Sequence, residues 1–312
     1  MAAHARMLLL CGVLALTLDT LPHYRAARRV AAAETVFYEL GSAPMHVAGR
    51  PDVAVHLPPG FDPARRPLVV VYFHGWNGCV AVALADDDAP CTEDGPVRRA
   101  SRLASQLDEA GVNAMLVAVE LRGDAPSGEV GALSDPGALR ALLGEVFSRL
   151  APRLGVTMDV DALEGVVVAA HSGGYQAAAA SLRYGDLPRL RELVLFDALY
   201  GAEAIFEGAL RDRSLRIVNL YTYGGGTRDR SLRLAELARG LGREVFAAGG
   251  ANEGEGEGEG EGEGKDDAES ARGEEAALSR EIVVERVRAA HADVPRAYTG
   301  SVLRAAALHL AP

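Results

Sequence analysis

Ser172 stands where a run of small and β-branched residues, Val166–Ala170, gives way to the alanine-rich Gln176–Leu182, in the order Ala170-His171-Ser172-Gly173-Gly174. That order reads as a buried strand, a tight turn and a helix folded back on the strand, with the serine at the apex. Ala170 and Gly174, two residues before and two after the serine, are small, as they must be where strand and helix approach too closely for side chains. A serine hydroxyl is a weak nucleophile. It needs a base within hydrogen-bond reach, and a carboxylate that holds the base in one tautomer. Two histidines follow Ser172 in the chain, His291 and His309. His291 lies just past an apolar run, in a loop that feeds a terminal helix, and is the candidate base. His309 falls inside that helix and reads as surface or packing.

Two residues compete for the acid. Asp197 directly follows the apolar Leu193–Phe196, at the sheet end that would carry Ser172. Asp229 follows Ile217–Tyr221 through the glycine-rich Gly224-Gly225-Gly226. Either also reads as a helix cap, and Asp197 is the one expected to orient the base. Acyl transfer further needs backbone donors where an oxyanion forms. The N–H of Gly173 would be one. The loop His74-Gly75-Trp76-Asn77-Gly78, after another apolar run, would supply the other through Trp76, with Gly75 and Asn77 lining the site. His74 precedes the serine and reads as a residue that fixes this loop. Glu120 ends its own run at the same sheet end, as a substrate contact or as a partner for Arg122 or a nearby loop. There is no dinucleotide fingerprint, no phosphate loop and no His-Glu-x-x-His, so neither cofactor nor metal is expected.

The elements that must position these residues alternate along the chain. Strand-like runs fall at Val53–Leu57, Leu68–Phe73, Ala114–Leu121, Val166–Ala170, Leu193–Phe196, Ile217–Tyr221 and Ile282–Val287. Helical patterns fall at Val97–Ala110, Gly137–Leu154, Tyr175–Tyr184, Arg230–Leu241 and Arg296–Leu310. Glu34–Gly49 adds one or two antiparallel edge strands. Near-continuous apolar strands between amphipathic helices mean an α/β fold, with a mainly parallel sheet of about seven or eight strands and helices on both faces. Such sheets bind ligands at the carboxyl ends of their strands. Tyr200–Leu210 is placed to roof the pocket.

The 312 residues suit one α/β domain, expected at 34–312, behind a leader at 1–33. The leader carries His4 and Arg6, then the apolar Met7–Leu18, short for a bilayer span but suited to a secretory signal. Small residues at Ala31-Ala32-Ala33 offer a cleavage site, and export to the periplasm or beyond is expected, with tethering if the leader stays on. Cys79 and Cys91 are read as a disulfide of an exported chain. Of the formal charge of −11, eleven acidic and two basic residues within Glu253–Glu275 supply −9, which leaves the rest close to neutral and argues against a nucleic-acid partner. The Glu-Gly repeat there, within an insertion at 250–277, has no apolar face and is expected to be disordered.

In the motifs His74-Gly75-Trp76, Ala170-His171-Ser172-Gly173-Gly174, Asp197 and His291, the chain from about Val53 to Leu310 resembles the α/β-hydrolases, in an exported subgroup. The resemblance implies a serine hydrolase acting on an ester, thioester or amide without a cofactor. Its implied roles are Ser172 as nucleophile, His291 as base, Asp197 as acid, and Trp76 and Gly173 as oxyanion donors. A small-molecule or acyl-ester substrate would be the partner, with no membrane span beyond the leader. The alternative is a binding protein that keeps the fold without the chemistry.

Overall fold

Apolar runs become strands whose successive side chains go to opposite faces of one sheet. The computed structural model describes residues 27–125, 129–248 and 280–310. The apolar leader run and the Glu-Gly insertion lie outside the described residues. In chain order the strands are β1 (Glu34–Tyr38), β2 (Val53–Leu57), β3 (Leu68–Phe73), β4 (Ala89–Pro90), β5 (Val97–Arg98), β6 (Ala114–Val119), β7 (Gly165–His171), β8 (Leu190–Phe196), β9 (Arg216–Tyr221), β10 (Val245–Ala248) and β11 (Ile282–Arg286). The helices are α1 (Val80–Leu84), α2 (Leu103–Ala110), α3 (Ala138–Leu154), α4 (Tyr175–Tyr184), α5 (Glu203–Ala209), α6 (Arg228–Gly240) and α7 (Val294–Leu310).

Nine strands form one sheet in the order β1-β2-β6-β3-β7-β8-β9-β11-β10. β2 is antiparallel to both its neighbours, and the other adjacent pairs are parallel. Val69, Val71 and Phe73 of β3 join the core beneath α3, α4, α5 and α6. Leu68, Val70 and Tyr72 of the same strand join the core beneath α1, α2 and α7. This is the mainly parallel sheet, covered by helices on both faces, that the sequence pattern implies and that the resemblance to the α/β-hydrolases leads one to expect. In α3 the buried residues Leu139, Leu142, Leu143, Val146, Phe147, Leu150 and Leu154 repeat at helical spacing, and Gly155 ends the helix in the left-handed region at φ 70°. Each fully buried leucine or phenylalanine there is worth about 1.5–3 kcal/mol.

The structure departs from the sequence expectation in three places. Among the described residues the sheet has nine strands rather than seven or eight; β10, only four residues long, is too brief to show an apolar pattern of its own. The helix expected over Val97–Ala110 begins only at Leu103. Val97 and Arg98 pair instead with Ala89 and Pro90 in a two-stranded ribbon. The Asp88 carboxylate takes the Ala100 amide, and Arg102 adopts a left-handed φ of 54°, which stops a helix from starting earlier. Lastly, Tyr200–Leu210 is no roof: Phe206 of α5 and the flanking Leu199 and Leu210 are buried in the core.

Candidate active site

The carboxyl ends of β3, β6, β7, β8, β9 and β11 deliver the expected residues to one edge of the sheet. Ser172 leaves β7 with φ at 50°, at the head of a single tight turn before α4. The small residues around it have a physical cause. A Cβ on Gly174 would lie 2.6 Å from the Phe73 carbonyl oxygen, and one on Gly75 would lie 2.8 Å from the Ser172 Cβ. Ala170, in contrast, is fully buried near the end of β7, where a methyl group fits.

Ser172 Oγ donates to His291 Nε2 at 2.9 Å, and His291 Nδ1 donates to Asp197 Oδ2 at 2.8 Å. Asp197 is fully buried, with φ at 45°. Thr222 donates to its Oδ2 at 2.5 Å, and Thr227 donates to its Oδ1. Burial works to raise the Asp197 carboxyl, but the hydrogen bonds from His291, Thr222 and Thr227 outweigh it and hold the group below the usual carboxylate range. The glycine-rich stretch after β9 follows from this acid, since a Cβ on Gly225 would sit 2.0 Å from Asp197 Oδ2. Asp229 is exposed in the first turn of α6, where a carboxylate suits the helix dipole, and takes no part. His309 is exposed in the last turn of α7.

The loop after β3 is held from beneath. The buried His74 accepts the Leu121 amide at Nε2 and donates from Nδ1 to the Gly75 carbonyl. Glu120, wholly buried, accepts from the Val80 amide and from Arg50 Nη1. It therefore braces this loop and contacts neither substrate space nor Arg122, which pairs with Asp124 and Glu129. The Asn77 amide donates to the Gly123 carbonyl at 2.8 Å, so it is not an oxyanion donor. The Trp76 side chain stands 55% exposed beside a cavity of about 250 Å³, which His171, Gly75, Asn77 and Ala292 also line. Cys79, at the end of this loop, is disulfide-bonded to Cys91.

Three contributors carried no assigned role in the sequence. Thr222 and Thr227 are silent there because threonine after a strand or before a helix usually serves the backbone. The third is His171, next to the serine, whose half-buried ring lies 4.8 Å from the His291 ring and donates from Nε2 to the His291 carbonyl at 3.0 Å. Tyr200 approaches His291 edge-on at 6.1 Å, its hydroxyl pushed up to about 12 by burial and by the Asp197 charge.

Burial, with the His291 ring beside it, pushes the His171 imidazole down to about 4. An unfolded histidine binds its proton near pH 6.5, well before the folded one does. His171 therefore contributes stability that is complete above pH 6.5 and is lost as pH falls toward 4. The expected result is a denaturation free energy that declines across that window in wild type and declines less in His171→Gln, which keeps a donor but cannot titrate. Equal slopes for the two proteins in urea titrations would contradict it.

No family model matches the chain, and no curated protein matches it in sequence. Solved structures do resemble it. An S-formylglutathione hydrolase from Agrobacterium tumefaciens is 14% identical, with 89% of this chain and 95% of that one covered, at a TM-score of 0.43. A mutant of the feruloyl esterase module from Clostridium thermocellum, complexed with sinapinate, is 12% identical over 89% of this chain and 95% of that one, at 0.46. An acylaminoacyl peptidase from Pyrococcus horikoshii is 14% identical over 85% of this chain and 39% of that one, at 0.42. Likenesses this distant say nothing of what this chain acts on, and the site stands on its own geometry.

Proposed function

We propose that this protein is a serine hydrolase that cleaves an ester, or a thioester or amide, through an acyl-enzyme on Ser172. The observation that carries the proposal is the unbroken line of hydrogen bonds from Ser172 Oγ through the His291 ring to the buried Asp197. In this scheme His291 Nε2 takes the hydroxyl proton as Ser172 Oγ attacks the carbonyl carbon. Asp197 keeps the other ring nitrogen protonated and stabilises the imidazolium that forms. The amides of Gly173 and Trp76 receive the oxyanion, each such donor contributing about 3–4 kcal/mol to the transition state. The tetrahedral intermediate collapses, His291 returns the proton to the leaving group, and water repeats the sequence to free the acid.

The disulfide fits an oxidising compartment, and we place the protein outside the cytosol. Among the described residues no helix is long and apolar enough to cross a membrane.

Labelling with a fluorophosphonate probe tests the proposal, because such probes react only with an activated serine. Wild type is expected to label at one site, and Ser172→Ala to remain unlabelled. A folded wild type that takes no label would make this a binding protein, and label persisting in Ser172→Ala would move the nucleophile elsewhere.

A further inference from the structure

The cavity lined by Gly75 and His171, the two residues that flank Ser172 in space and in the chain, has an uneven charge. Two arginines, Arg98 and Arg99, stand on its wall, and no aspartate or glutamate does. Arg99 is committed, since it bonds Asp293 at 2.6 Å and Asp88 at 3.2 Å. Arg98 is not. Its side chain has no hydrogen-bond or ion-pair partner among the described residues, although the residue is half-buried. Solvent screens a partly buried guanidinium less than an exposed one, and an unmatched charge there favours an anion.

The backbone of Arg98 is also held in place. It lies in the ribbon of β4 and β5, paired with Ala89. The Cys79–Cys91 disulfide joins that ribbon to the loop of Gly75 and Trp76, and Arg99–Asp293 joins it to the turn of His291. The backbone that carries Arg98 is thus tethered to both the loop of the expected oxyanion donors and the turn of the base, and its side chain stays free to take a ligand. About 250 Å³ is small, and suits a short acyl chain rather than a long or branched one.

We infer that the enzyme selects esters whose acyl group ends in a carboxylate, of the dicarboxylic half-ester class, and that Arg98 is the residue that recognises that carboxylate. The inference rests on the serine-hydrolase proposal and adds the substrate class to it. A guanidinium clamps a carboxylate through two parallel hydrogen bonds, which fixes the acyl chain along the cavity and places its carbonyl against Ser172.

The test compares monophenyl adipate with phenyl hexanoate, equal in chain length and different in the terminal charge, by phenol release from the full-length protein. Wild type is expected to favour the adipate in kcat/KM by about tenfold or more, and less so as salt is raised. Arg98→Gln is expected to cut that ratio by about tenfold, and Arg98→Lys to restore part of it. Both esters are measured on one preparation, so a partly unfolded variant changes neither ratio. No preference in wild type, a preference surviving in Arg98→Gln, or a labelled enzyme that cleaves neither ester overturns the inference while the hydrolase proposal stands. A folded wild type that neither labels nor cleaves either ester removes the hydrolase proposal, and this inference with it.

Discussion

Replacing Ser172 with alanine is expected to lower ester turnover by roughly 10⁶-fold, and adding His291→Ala to lower it no further. The two side chains meet at 2.9 Å and move one proton between them, so neither has a function once the other is gone. Losses that multiplied in the double variant would mean that serine and histidine act independently, and the proposed mechanism would fail. A residual rate above that in water is expected in both variants, because the proposed backbone donors at Trp76 and Gly173 remain. Single-turnover kinetics with an activated aryl ester would measure it, with circular dichroism to establish the fold.

The second large effect belongs to Asp197. Asp197→Asn is expected to lower kcat by about 10⁴-fold with little change in KM. The buried carboxylate accepts a hydrogen bond from each of Thr222, Thr227 and His291. An amide has one oxygen and one NH₂ for those partners. With the NH₂ toward the imidazole, His291 Nδ1 becomes an acceptor and its proton moves to Nε2, where it blocks the Ser172 hydroxyl. Asp229→Asn, at the exposed start of α6, is expected to change kcat by less than about twofold. The pair of variants separates the two aspartates that sequence alone leaves open. Comparable losses in both would return the question to Asp229.

What the sequence reveals of this site depends on how each residue is announced. Ser172, Asp197 and His291 lie at or just beyond the ends of apolar runs, and a parallel sheet gathers such ends on one edge. Glycines at 75, 174 and 225 mark backbone that passes close to something, but only the folded chain identifies the neighbours as Ser172, the Phe73 carbonyl and the Asp197 carboxylate. Thr222 and Thr227 are invisible in a linear reading because their partner is 25 and 30 residues away. The Val97–Ala110 stretch misleads for a related reason. Its local pattern favours a helix, while Asp88 and the disulfide, both outside the stretch, impose the ribbon that carries Arg98. Asn77 lines the cavity as its place in the loop suggests, while the bond of its backbone amide to the Gly123 carbonyl is visible only in the folded chain.

Ser172 and Asp197 both hold a left-handed backbone, at φ 50° and 45°. For residues with a side chain that conformation costs roughly 1–2 kcal/mol, and glycine adopts it freely. On backbone strain alone, then, glycine is the better residue at 172, and choosing it would end the proposed chemistry; at 197 the hydrogen bonds from Thr222, Thr227 and His291 offset the strain. Random drift in a lineage released from selection for turnover would run downhill toward glycine at 172. A laboratory screen for heat tolerance would run the same way, enriching inactive survivors at 172 unless every round also scores hydrolysis.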